Sequence, residues 1–146
     1  MNIRKMTIDD YSAVYNLWVN TPGMGLNNLD DSADGISKYL RRNPNTCFVA
    51  EDGNIIIGAI LSGHDGRRGF INHTAVHANY RRQGIATALV NSAIKALAAE
   101  GIAKATLVVF AKNETGNAFW EKLGFPARDD LVYRNKSLTD IIRIDT

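Results

Sequence analysis

The order of apolar patterns along the chain predicts an α/β fold, a mixed sheet with helices on both faces. Three stretches carry that expectation. "TCFVAE" and "IIIGAILSG" are β-type runs either side of "DGN", the signal of a hairpin. "FINHTAVH" passes through the basic turn "ANYRRQG" into "IATALVNSAIKALAAEG", the strongest helical pattern present. "KATLVVF" then precedes "ETGNAFWEKLG", a second strand–helix unit. Hairpins followed by strand–helix–strand order require antiparallel and parallel pairing in one sheet.

Taken in order, "NIRKM" reads as a short first strand. "TIDDYSAVYNLW" has Thr7 and Asp10 at capping-box spacing, although that box prefers Glu or Gln as its second member. Apolar residues at 11, 14, 17 and 18 then line one helical face. "TPGMGLNN" is a breaker-rich loop, and "SADGISKYLRRNP" predicts a second helix capped by Ser32 and stopped before Pro44. "GHDGRRG" is a turn between strands. Gly101 and Gly124 are placed to end the last two helices. "LVYRNKSL" reads as a final strand. No repeat, linker or low-complexity segment interrupts the chain, so residues 1–146 are expected to form a single domain.

A length of 146 residues with 45% apolar content suits one sizeable core. The net charge of +2, with both signs mixed, provides no bulk attraction to nucleic acid or membrane. The pairs Arg41–Arg42, Arg67–Arg68 and Arg81–Arg82 are by default solvated surface, and a nucleic-acid reading also lacks interleaved exposed aromatics. Cys47 is the one cysteine; no internal disulfide can form, which favours a reducing, cytoplasmic setting. Within the apolar run "CFVAE" it is expected to be a buried thiol rather than a nucleophile. "MNIRKMTIDD" has no apolar signal region, and "IIIGAIL" is too short to span a bilayer.

A basic turn that opens a helix invites an anion. The first N–H groups of a helix lack partners and carry the positive end of its dipole. A glycine there lets a ligand approach the backbone, and neighbouring guanidinium groups suit phosphate or pyrophosphate. Arg81-x-x-Gly84-x-Ala86 has this form. A P-loop would need G-x-x-x-x-G-K-S/T and a dinucleotide fingerprint G-x-G-x-x-G; neither is present.

"VHANYRRQGIA" instead resembles the central motif of the GNAT superfamily of acyl-CoA-dependent N-acetyltransferases, Arg/Gln-x-x-Gly-x-Gly/Ala after a strand. Ala78 stands where proline is common. "NETGNAFWEKLGF" resembles that family's second block, and "GHDGRRG" is similar to a small bacterial subgroup. The resemblance spans the chain in element order, with the specific motifs in residues 75–125. It implies a mostly antiparallel mixed sheet whose core strand splays from its neighbour, acetyl-CoA as cosubstrate, and no metal.

By the same resemblance, the amides of Arg82, Gln83, Gly84, Ile85, Ala86 and Thr87 hold the CoA pyrophosphate, with Arg81 opening the turn. Pantetheine lies along Ala75, Val76 and His77, and the Val76 N–H is the oxyanion donor. His77 holds a position where relatives often carry a histidine without chemical use. Asn113 matches the asparagine that bonds pantetheine. Phe119 and Trp120 border the CoA arm, or simply pack in the core.

The implied reaction moves an acetyl group directly from thioester to amine. At pH 7.4, freeing an amine with a pKa near 10.4 of its proton costs about 4 kcal/mol. Relatives supply an acid from a tyrosine seven residues after the asparagine; here that residue is Trp120, whose indole donates a hydrogen bond but no proton. Tyr133 or water is the substitute. For the base, relatives use Glu or His on the inward face of the core strand, where this chain has Phe70 and Asn72. His73 is one residue out of phase unless the strand's bulge begins early. A water chain along backbone carbonyls is the preferred proton path.

The acceptor site is expected between residues 20–35 and the last strands. There Asp30, Asp31 and Asp34 either attract a cationic amine or solvate the loop and favour a helix start. The implied acceptor is a primary amine of a small molecule, a protein N-terminus or a lysine. The alternative is a CoA-binding sensor or partner module without turnover. Relatives are often dimers, so a homodimer is compatible with the resemblance.

Overall fold

The computed structural model describes residues 1–144. Its five-stranded sheet has the order β1-β3-β4-β5-β6, formed by Asn2–Lys5, Phe48–Asp52, Ile55–His64, Gly69–Val76 and Ala105–Thr106. All pairs are antiparallel except β5 with β6. Helices α1 (Tyr11–Val19) and α2 (Ala33–Arg42) precede β3, while α3 (Ile85–Ala99) and α4 (Glu114–Lys122) flank β6. Leu26–Asn27, β2, pairs with Arg143–Ile144, β7, in a separate two-stranded ribbon.

Both predicted helix starts near the N-terminus rest on local side-chain bonds. Ser32 Oγ accepts from the Gly35 N–H at 3.0 Å, relieving one unpaired donor of α2. Thr7 and Asp10 do form a capping box, which opens the 3₁₀ turn Ile8–Asp10 leading into α1. Gly101 and Gly124 follow α3 and α4 with φ of 81° and 92°.

The sheet separates two apolar layers. On one side Val14, Leu17 and Trp18 of α1 and Ile36 and Leu40 of α2 cover Val49, Ala59, Leu61 and Ala75. On the other, Ile85, Leu89, Val90 and Ala93 of α3 cover Ala50, Ile57, Ile60 and Ile71, with α4 adding Phe119 and Trp120. Trp18 is fully buried, and its Nε1–H has no acceptor among the described residues.

Strict alternation would put Ile57 with Ala59 and Ile71 with Ala75. Two bulges break it. The β3–β4 register shifts between Ala50 and Glu51, adding a residue to β4 at Ile57. In the β4–β5 pair, Ala59 faces Ala75 but Leu61 faces Asn72, so β5 holds an extra residue between them.

Two strand expectations need correction. Only Ala105 and Thr106 of "KATLVVF" pair with β5; residues 107–110 diverge. "LVYRNKSL" forms no strand: Leu131, Val132, Tyr133 and Leu138 are all exposed, so their β propensity finds no surface to pack on. The last strand comes later, as β7.

Arg4 ties β1 to the turn before α1. Its guanidinium donates to both Asp10 carboxylate oxygens at 2.9 and 2.8 Å, and the Thr7 N–H donates to Oδ2 at 2.9 Å. The Arg4 bonds hold the Asp10 carboxyl below its ordinary pKa. A carboxyl depressed in the folded state stabilises above its unfolded pKa, and that stability is lost as pH falls through the folded value. Asp10→Asn should therefore cost about 1–2 kcal/mol at pH 7, since Arg4 is partly solvated. Urea midpoints of variant and parent should begin to converge below about pH 4 and coincide only beneath the depressed folded value.

Candidate active site

β5 and β6 pair at Gly69–Ala105 and Phe70–Thr106 and then part. A cavity of about 820 Å³ opens where they diverge, between Ile71–Thr74 and Leu107–Ala111. Residues 21–25, Tyr133, Arg81, Asn113, Thr115, Gly116 and Trp120 complete its lining. A strand edge without a neighbour presents backbone donors and acceptors to whatever enters.

The β4–β5 register decides which groups face that opening. Gly58 faces Val76 and Ala59 faces Ala75, while the His77 N–H donates to the Ile57 carbonyl at 2.8 Å. Antiparallel pairs alternate between bonded and non-bonded residues, so Val76 is the non-bonded one and its N–H points away from β4. The Val76 carbonyl accepts from Arg81 Nε at 3.5 Å. By the same alternation the backbone groups of Ala75 and His77 turn toward β4. Of the three residues expected to line pantetheine, only Val76 turns its backbone to the edge of β5 that lies away from β4, and none of the three lines the cavity itself.

His77 has a local task. Its Nδ1 accepts from the Asn79 N–H at 3.1 Å and caps the 3₁₀ turn Ala78–Tyr80, with the ring edge-on to Tyr80. That fixes a structural role for the side chain.

Beyond that turn, Arg82 is left-handed (φ 62°), the only such non-glycine among the described residues, and Gly84 follows with φ 77°. Gly84 is the N-cap of α3 and provides no side-chain bond. Among the described residues, no protein acceptor takes the backbone N–H of Arg82, Gln83, Gly84, Ile85, Ala86 or Thr87. Ile85 is buried and anchors α3, whereas Arg81, Arg82, Gln83 and Gly84 are exposed. A Cβ on Gly84 would meet nothing within 4 Å, so the space over this turn is open. Unpaired amides at a helix start, with two guanidinium groups alongside, fit a diphosphate.

Asn113 is the N-cap of α4: its Oδ1 accepts from the Gly116 N–H at 2.9 Å, and its amide NH₂ is left to donate to a ligand. Trp120 lines the cavity while packing edge-on to Phe119 and Phe125 at 5.0 and 5.3 Å. Phe119 does not line it and belongs to the α3 core layer. Tyr133 reaches the cavity from an exposed segment without regular structure, not from a strand.

The bulge in β5 begins early enough to bring His73 to the face shared with Asn72. Asn72 Nδ2 approaches the Tyr39 hydroxyl of α2 at 3.5 Å, and His73 Nε2 lies 2.6 Å from Asp31 Oδ1. Both residues line the cavity. The expected phase error of His73 thus disappears. Asp31 is buried and its other oxygen accepts from the Asn27 N–H at 2.8 Å, so it does not solvate the loop. Asp30 accepts from Asn27 Nδ2, and Asp34 sits in the first turn of α2. Burial pushes the Cys47 thiol up to about 12, which removes it as a nucleophile. Sequence patterns gave no sign of Thr74 or of residues 107–111 as cavity walls, because a missing strand partner leaves no local signature.

The Acetyltransferase (GNAT) family model matches residues 11–125. An acetyltransferase of Sodalis glossinidius (strain morsitans) is 33% identical over 140 residues, covering 96% of this chain and 97% of that protein. Among solved structures, PaiA N-acetyltransferase from Thermoplasma acidophilum in complex with coenzyme A superposes with a TM-score of 0.76 at 19% identity, over 97% of this chain and 96% of that one. Ard1 from Thermoplasma volcanium gives a TM-score of 0.75 at 20% identity, over 84% and 80%. The structural likenesses establish the mixed, mostly antiparallel fold, and the family model and the Sodalis relative establish descent: the chain belongs to the GNAT acetyltransferase family.

Proposed function

We propose that residues 1–146 act as one N-acetyltransferase domain that moves an acetyl group from acetyl-CoA to a primary amine of a small molecule, a protein N-terminus or a lysine. The observation that carries this reading is the open strand edge at Val76 continuing into the unpaired amides of residues 82–87. CoA supplies an acyl thioester, a carbonyl activated toward attack by an amine. The amides of the turn and the guanidinium groups of Arg81 and Arg82 would hold the pyrophosphate. The Val76 N–H would donate to the carbonyl oxygen as negative charge grows there. The Asn113 NH₂ would orient the pantetheine arm.

No acid is demanded at the sulfur. A thiol with a pKa around 8.5 leaves as thiolate at a cost of roughly 1–2 kcal/mol near neutral pH. Trp120 packs against Phe119 and Phe125 beside the cavity, where its Nε1–H can donate to the departing sulfur. Among the described residues, Tyr133 is the one hydroxyl-bearing aromatic that lines the cavity.

The test is a panel of amines with acetyl-CoA, read by thiol release and product mass. Turnover on at least one amine is expected. CoA binding without thiol release on any of them would mean a binding module instead. Gly84→Ala tests the phosphate turn. Holding alanine at a positive φ costs about 1–2 kcal/mol of stability, and the new methyl, which meets no protein atom within 4 Å, would compete with a bound phosphate for the space beside the turn. The variant should remain folded by circular dichroism while the calorimetric Kd for CoA rises roughly 10- to 100-fold.

A further inference from the structure

Resting on the acetyl-transfer reading above, we infer that Asp31 and His73 form a proton-accepting pair, with His73 Nδ1 taking a proton from the acceptor amine and Asp31 setting the tautomer that leaves Nδ1 free.

The geometry admits one neutral arrangement. Asp31 is a buried carboxylate that only accepts, so at 2.6 Å the His73 Nε2 must carry the proton. The lone pair of the neutral ring is then on Nδ1, which makes no hydrogen bond among the described residues. Trp18 of α1 packs edge-on to the imidazole at 4.9 Å and restrains its plane. Asp31 is itself held from three sides: the Asn27 N–H reaches Oδ2, His73 reaches Oδ1, and the Tyr11 hydroxyl bonds its carbonyl at 2.6 Å. Among the described residues, the other groups able to titrate or carry charge near His73 are few. Arg81 and Tyr133 line the same cavity, α1 presents the uncharged Trp18, and Tyr39 of α2 lies toward Asn72.

The step balances simply. The ammonium form of the acceptor gives one proton to His73 Nδ1, producing an imidazolium beside the Asp31 carboxylate. The neutral amine forms the C–N bond as the C–S bond breaks, the electron pair leaving on sulfur. The second amine proton passes to the thiolate or to water, and His73 returns its proton to solvent. His73 is the catalytic residue here and Asp31 a positioning residue.

Asp31→Asn separates these roles. The backbone N–H of Asn27 can only donate, so the new amide must keep its oxygen toward it and turn its NH₂ toward His73 Nε2. The ring then accepts at Nε2 and carries its proton on Nδ1, the wrong tautomer for a base. On an amine accepted by the parent enzyme, kcat/KM should fall roughly 100-fold or more with CoA affinity unchanged. Imidazole ¹⁵N NMR should show the proton moved from Nε2 to Nδ1. His73→Gln, whose amide can still donate to Asp31, should fall as far and lose the acid limb of the parent's pH–rate profile. Parent-like activity in folded Asp31→Asn overturns the inference. Should that variant not fold, His73→Gln with parent activity and an unchanged pH profile overturns it equally. A parent that acetylates no amine defeats the acetyl-transfer reading and the base role together. An NMR spectrum placing the parent's proton on Nδ1 removes the pair whatever the activity.

Discussion

Gly35→Ala should destabilise the protein by about 2–3 kcal/mol, with a midpoint temperature about 5–10 °C lower. Helix propensity alone argues the opposite sign, since alanine in a helix interior is favoured over glycine by about 1 kcal/mol. Packing decides here. A Cβ at Gly35 would fall on the carbonyl oxygens of Leu29 and Asp30 and within 2.7 Å of the Asp30 carbonyl carbon. That loop has little freedom to retreat. Asn27 Oδ1 accepts from the Leu29 and Asp30 N–H groups at 2.9 and 2.8 Å, Ser32 Oγ donates to the Leu29 carbonyl at 2.7 Å, and the Tyr11 hydroxyl holds the Asp31 carbonyl. Either the first turn of α2 loosens, forfeiting the Ser32 cap, or the loop shifts and takes Asp31 with it. In the second case the His73 contact at 2.6 Å opens. Thermal melts against Lys38→Ala, an exposed site on the same helix, separate this clash from a general helix effect. A Gly35→Ala protein melting at or above the parent temperature would show that the loop yields freely.

What the sequence disclosed and what it hid divide by the range of the interactions involved. Ser32, Thr7 with Asp10, Gly84, Gly101 and Gly124 act within a few residues of themselves, so their types and spacing announce the turns they make. The turn at residues 81–87 was legible for the same reason: amides left unpaired at a helix start need no distant partner. The β5 bulge is different. It exists because Ala59 faces Ala75 while Leu61 faces Asn72, a mismatch between two strands that neither strand displays alone. From this follow the facing of His73 and its meeting with Asp31, 42 residues away. The failed strand at residues 131–138 makes the converse point. Leu131, Val132 and Tyr133 have strand propensity, yet propensity of that kind measures a fit to a half-buried surface, and all three are exposed.

Val76→Pro should lower kcat by about 100- to 1000-fold, the range for loss of one oxyanion donor. Proline is normally excluded from a sheet because it removes a ladder hydrogen bond, but an N–H that faces away from the paired strand is the position that tolerates it. Val76 meets this condition: it is a non-bonded partner of Gly58, and the neighbouring bond to β4 is made by the His77 N–H, which the substitution leaves in place. Ala75, the residue before the new proline, is already in a strand, as a pre-proline residue prefers. Val76→Ala trims the same side chain and keeps the N–H, so its kcat should stay within a few-fold of the parent. The two variants together isolate one backbone hydrogen. Affinity for free CoA should change less than about tenfold in either, because the site proposed for the diphosphate is the turn at residues 82–87 and not Val76. Equal kcat values for Val76→Pro and Val76→Ala would place the oxyanion elsewhere and leave the open edge of β5 with a binding role only.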